Sequence, residues 1–73
     1  MLERLTAIIR ENTGNNEIVI NENTILLADL GLNSLDLLNL VCIVEDEFEV
    51  EIPDRVVWKL KTVGDVMEFI KQQ

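Results

Sequence analysis

The chain has 73 residues, a formal charge of −8 from 14 acidic and 6 basic side chains, 48% hydrophobic residues, one cysteine and no histidine. That length accommodates one domain, residues 1–73, around one core. The acidity argues against nucleic acid, whose phosphates are met by clustered Lys and Arg, and the apolar content is too high for a disordered acidic tail.

Leu2, Leu5, Ile8 and Ile9, with Ala7 at their edge, recur at the three-and-four spacing of one helical face, and Gly14-Asn15-Asn16 is a stop signal. No helical period persists from Asn15 to Asn33. Ile18-Val19-Ile20 has no second strand to pair with, so the stretch reads as a long first loop pinned to the core by Ile18, Ile20, Ile25, Leu27 and Leu30. Loops of that length in small domains are usually functional.

Asn33 is placed to cap a second helix running to about Phe48, with Asp36 at the capping-box position. This helix is apolar almost all round, its clearly polar stripe being Asp36, Asn39 and Asp46, so part of its surface is expected to face a partner or line an internal cavity. Pro53 breaks the chain, Asp54 starts a short helical piece reaching towards Leu60, and Thr62 with Asp65 forms another capping box. The last helix turns Val63, Val66, Met67 and Ile70 to the core. The fold expected is an all-α bundle of three main helices and one short helix.

Charge is segregated along the chain. The 44 residues between Arg10 and Arg55 hold eleven acids and no base. Such a stretch is either a solvated acidic surface or a docking face for basic partners, which would raise association rate and filter wrong ones. The longest apolar run, Leu40–Val44, is far too short to span a membrane. No cationic start precedes an apolar run, so no signal peptide is expected, and a lone Cys42 without a disulfide partner points to a reducing cytoplasm.

Catalytic and metal patterns fail. The commonest general base and zinc ligand, histidine, is missing, the three glycines are isolated, and the acids from Glu45 to Asp54 lack the glycine and spacing of a calcium loop. Neither an enzyme nor a metal site is expected. Cys42, with no cationic neighbour, reads as a small core or groove residue, and Trp58 as partly buried on the short helix. One passage remains, Asp29-Leu30-Gly31-Leu32-Asn33-Ser34-Leu35-Asp36, in which Ser34 falls in the first helical turn. A hydroxyl there sits in the positive field of a helix end, which favours an attached phosphate. Taken locally, Ser34 reads equally as a capping hydroxyl.

Asp29-x-Gly31-x-Asn33-Ser34-Leu35-Asp36, then Glu45-Asp46-x-Phe48, then Glu51-Ile52-Pro53-Asp54, resembles the acyl carrier protein family across essentially the whole chain. The resemblance implies that a phosphopantetheinyl transferase moves 4′-phosphopantetheine from coenzyme A to Ser34, and that the arm's thiol then carries acyl groups as thioesters. It implies that the second helix is read by acyl-loading and acyl-processing enzymes through basic patches, with Asp36, Glu45, Asp46 and Glu47 as the matching acids and Leu35 and Leu38 as apolar contacts. The sequence departs from the family at Asn33, usually Asp, at Asn39, usually a carboxylate, and in the bulkier, more basic Arg55–Lys59 segment. The expected role is a freestanding, monomeric carrier in fatty acid or polyketide-type synthesis. An aminoacyl or D-alanyl carrier, and an unmodified acidic helical adaptor, stand as alternatives.

Overall fold

The computed structural model describes residues 1–73 and contains four helices: α1 (Leu2–Thr13), α2 (Ser34–Phe48), α3 (Asp54–Val57) and α4 (Val63–Lys71). Each long helix has a local reason to begin or end where it does. Gly14 stops α1 in the left-handed conformation, φ 72°, which costs glycine nothing. Asn33 and Thr62 cap α2 and α4 through reciprocal capping boxes with Asp36 and Asp65. Pro53, extended at φ −60° and ψ 149°, ends the preceding segment and admits α3.

Leu5, Ile8 and Ile9 of α1 meet Leu37, Leu40, Val41 and Val44 of α2, and Val63, Val66, Met67 and Ile70 of α4 close the same sixteen-residue core. Ala7 lies outside it, exposed. On α2 the buried residues follow the spacing i, i+3, i+4, i+7, a single stripe. Cys42 lies off that stripe and is exposed, which corrects the expectation of a core or groove residue. Helical phase decides its position, not the apolar character of its neighbours.

The first loop is pinned differently from the sequence expectation. Ile20 is buried and Ile18 and Leu30 pack against the core, but the deepest anchor is Leu26, 2% exposed, while Ile25 and Leu27 point outward. A long-range backbone tie sets this alternation. The Leu26 N–H donates to the Lys61 carbonyl at 2.9 Å, the Val63 N–H to Thr24 at 3.0 Å and the Gly64 N–H to Glu22 at 2.8 Å. These bonds hold an extended piece of the loop, with an isolated bridge between Ile25 and Thr62, against the start of α4. The Arg10 guanidinium donates to the Ile18 carbonyl at 3.0 Å and fixes the loop's other end. The loop carries no regular element of its own, yet it is tied along its length.

α3 is shorter than the sequence reading, ending at Val57, with Trp58 as its C-cap residue. Trp58 is 50% exposed, so half of its ring area is left to solvent.

Candidate functional site

Loop and α2 meet at the Asp29–Asp36 passage, and each of its residues has a distinct task. The Asp29 carboxylate accepts the Ile25 N–H at 2.8 Å, closing a turn that the Asp29 N–H also closes onto the Ile25 carbonyl. Gly31 adopts φ 66°, which an L side chain rarely tolerates, and nothing lies within 4 Å of where its Cβ would be. Backbone conformation, not crowding, demands glycine there. Leu30 and Leu32 pack against the core on either side of it.

Asn33 then caps α2. Its side-chain oxygen accepts the Asp36 N–H at 2.8 Å, and the Asp36 carboxylate accepts the Asn33 N–H at 3.4 Å. The cap is therefore complete without Ser34. Ser34, the only serine in the chain, is the first residue of α2 and is exposed. The local alternative, that its hydroxyl exists to cap the helix, loses its basis because Asn33 does that work. The N–H groups of the first turn have no helical partner and point along the positive end of the axis. A phosphate ester on Ser34 would sit in that field beside the Ser34 and Leu35 N–H groups, the Asp36 N–H being taken by Asn33.

The expected partner-facing residues divide into groups. Leu35 is 66% exposed beside Ser34, Leu38 is half-buried one turn on, and Asn39 is exposed. Asp36 is engaged in the cap, whereas Glu45 turns inward and accepts the Ile52 N–H at 2.8 Å. That bond explains why a carboxylate at Glu45 accompanies Ile52-Pro53: it ties α2 to the turn that positions buried Ile52. Glu47 pairs with Arg4 of α1 at 2.6 Å. Asp46 is exposed and free of such contacts. The four acids do not form one uniform face. Ile43, 40% exposed, adds apolar area to the same helix.

Two apolar spaces adjoin α2. One is a small void of about 20 Å³ inside the bundle, lined by eleven apolar side chains including Leu37, Leu40, Val41 and Ile52. The other is a surface groove of about 240 Å³ lined by Ile25, Leu27, Leu37, Val57, Trp58, Leu60 and Lys61. No pattern in the sequence assembles that groove. The apolar run Ile25-Leu26-Leu27 is its only trace in the sequence, and the tie to residues 61–64 decides that Leu26 faces in while Ile25 and Leu27 face out. No helix is long and apolar enough to cross a membrane.

A family model described as a phosphopantetheine attachment site matches residues 3–70. Acyl carrier proteins from Clostridium perfringens strains SM101, ATCC 13124 and 13 are each 40% identical over 72 residues, 99% of this chain and 95% of each relative. A solved acyl carrier protein structure from Mycobacterium tuberculosis superposes with a TM-score of 0.87 at 36% identity, over 96% of this chain and 93% of that one. The chain belongs to the acyl carrier protein family: it is an acyl carrier whose cofactor is 4′-phosphopantetheine.

Proposed function

We propose that the chain is a single-domain, non-catalytic, freestanding cytoplasmic carrier, that Ser34 holds the phosphopantetheine arm, and that it serves fatty acid or polyketide-type synthesis. The observation that carries the attachment site is the exposed Ser34 hydroxyl at the α2 N-terminus, left unused by a cap that Asn33 and Asp36 complete. Transfer of the arm exchanges the bond between the pyrophosphate bridge of coenzyme A and the pantetheine phosphate for a Ser34 Oγ–phosphorus bond. The serine proton goes to the transferase's base, and adenosine 3′,5′-bisphosphate leaves. The carrier itself supplies position: a rigid capped helix end, an exposed nucleophile and the apolar Leu35 and Leu38 beside it.

Charged rims mainly set association rate and discrimination, while apolar anchors hold a complex. With Asp36, Glu45 and Glu47 engaged within the chain and Asn39 neutral, Asp46 is the acid on α2 most available to a basic partner. Leu35, Leu38 and Ile43 add exposed and half-exposed apolar area to the same helix. The cognate enzymes therefore have a less basic, more apolar docking groove than a general fatty acid synthase. Acyl transfer at low carrier concentration tests this: Asn39→Glu raises turnover with a general fatty acid enzyme and leaves the cognate enzyme unchanged or slower. A wild-type carrier that already matches an ordinary fatty acid carrier, with no effect of the substitution, would remove the reading of a dedicated pathway.

A further inference from the structure

The groove lined by Ile25, Leu27, Leu37, Val57, Trp58, Leu60 and Lys61 gathers three of the chain's exposed large apolar residues into one place. Ile25 is 44% exposed, Leu27 45% and Trp58 50%. Leaving such side chains half in water forgoes part of the free energy their burial would yield, and a contiguous apolar patch of this kind marks a surface that something covers. One wall is rigid, because the Leu26 N–H is bonded to the Lys61 carbonyl and buried Leu26 locks the residues on either side facing out. The groove also lies beside the attachment position. Leu37 is three residues beyond Ser34 on α2, about 4.5 Å along the axis, so an arm rooted at Ser34 that folds back along the helix reaches the groove within its first bonds.

Lys61 is the single charged residue of the lining. Its backbone N–H donates to the Asp65 carboxylate at 3.0 Å and its charge acts on that carboxylate, but its ammonium closes no salt bridge, the chain's one such pair joining Arg4 to Glu47. Residues 11–54 contain no base, so neither the loop nor the α2 residues of the lining offer an anion a positive charge, and Lys61 is the one that does.

We propose that Trp58 and Lys61 make this groove a cargo seat, selecting an acyl group with an apolar body and an anionic far end, the half-thioester of a dicarboxylic acid. The apolar body lies against Trp58, Ile25 and Leu27, and the terminal carboxylate meets Lys61. This rests on the assignment of the arm to Ser34, and the experiment separates the two.

Trp58 is the chain's only tryptophan and there is no tyrosine, so intrinsic fluorescence reports the groove alone. A promiscuous phosphopantetheinyl transferase is used to load the full chain from coenzyme A, hexanoyl-coenzyme A and adipoyl-coenzyme A, and intact mass verifies each form. Acrylamide quenching of Trp58 is then compared. The adipoyl form is expected to be quenched about twofold less than the holo form, as a half-exposed ring becomes covered, with its emission shifted to the blue. The hexanoyl form should be shielded less than the adipoyl form, and Lys61→Gln should bring the adipoyl form to the hexanoyl level. An adipoyl form that is fully loaded by mass yet quenched like the holo form overturns the cargo seat while leaving the carrier assignment intact. Equal shielding by the two cargoes, unchanged by Lys61→Gln, overturns the selection for an anionic end. Failure to load any mass at Ser34 would instead overturn the assignment on which the inference rests.

Discussion

Gly64→Ala isolates the tie that shapes the first loop. Gly64 sits in the first turn of α4, and a Cβ built on it lies 2.9 Å from the Glu22 carbonyl oxygen, the atom that accepts the Gly64 N–H at 2.8 Å. The obstacle is backbone, so it cannot rotate away: either the loop retreats by a few tenths of an ångström or the contact remains overpacked. Overpacking of this kind costs ~1–3 kcal/mol, and stretching the Gly64–Glu22 bond loses part of a net ~0.5–1.5 kcal/mol. Against this stands a helix-propensity gain of at most ~1 kcal/mol for Ala over Gly, smaller in a first turn than in a helix interior. The balance is a loss of ~1–3 kcal/mol, and at ~4–8 °C per kcal/mol for a domain this small the midpoint falls by roughly 5–20 °C. Thermal unfolding followed by far-ultraviolet circular dichroism gives the midpoint, and hydrogen exchange at the Leu26 amide, bonded to Lys61, reports the loop directly. Faster exchange at Leu26 should accompany the lower midpoint. A midpoint unchanged or raised, with Leu26 still protected, would refute the claim that close backbone approach at Gly64 holds the loop in place.

Other substitutions have signs that follow from the same structure. Glu49 caps α2 at φ 54° and ψ 47°, a left-handed conformation that costs an L residue ~1–2 kcal/mol. Glu49→Gly should gain a net ~0.5–1 kcal/mol after the greater unfolded-state freedom of glycine, read as a higher urea midpoint; a lower midpoint would mean the Glu49 side chain does more than its exposure implies. The Asp65 carboxylate is held below its usual pKa because the Thr62 N–H, foremost, and the Lys61 N–H donate to it, aided by the Thr62 hydroxyl and the Lys61 charge and opposed by slight desolvation. A lowered folded-state pKa means a contribution present above the ordinary carboxylate range and lost as pH falls through the lowered value. The stability difference between wild type and Asp65→Asn should therefore be largest near neutrality and shrink on acidification below about pH 4; a difference constant from pH 7 to pH 3 contradicts that linkage.

The helices were legible because their information is local. Asn33 with Asp36, Thr62 with Asp65, Gly14 and Pro53 mark ends through bonds that span only a few residues, and the apolar stripes of α1 and α4 have a clear phase. On α2 apolar residues crowd nearly every position, so sequence character alone makes Cys42 a core or groove residue, whereas the stripe Leu37-Leu40-Val41-Val44 leaves it outside and exposed. The loop was least legible. Ile25, Leu26 and Leu27 are chemically alike, and the choice of Leu26 as anchor depends on hydrogen bonds to residues more than thirty positions away. The same limit applies to the acids: segregation of charge is visible in the sequence, but the inward turn of Glu45 to Ile52 and the pairing of Glu47 with Arg4 depend on how elements pack.

Fragment-ion mass spectrometry decides whether Ser34 bears the phosphopantetheine arm. After reaction of the full chain with coenzyme A, magnesium and a phosphopantetheinyl transferase, one phosphopantetheine per chain is expected, located on Ser34, with no added mass on Ser34→Ala. An arm located on a threonine, or a folded wild-type chain whose mass stays unchanged with several promiscuous transferases, would contradict it.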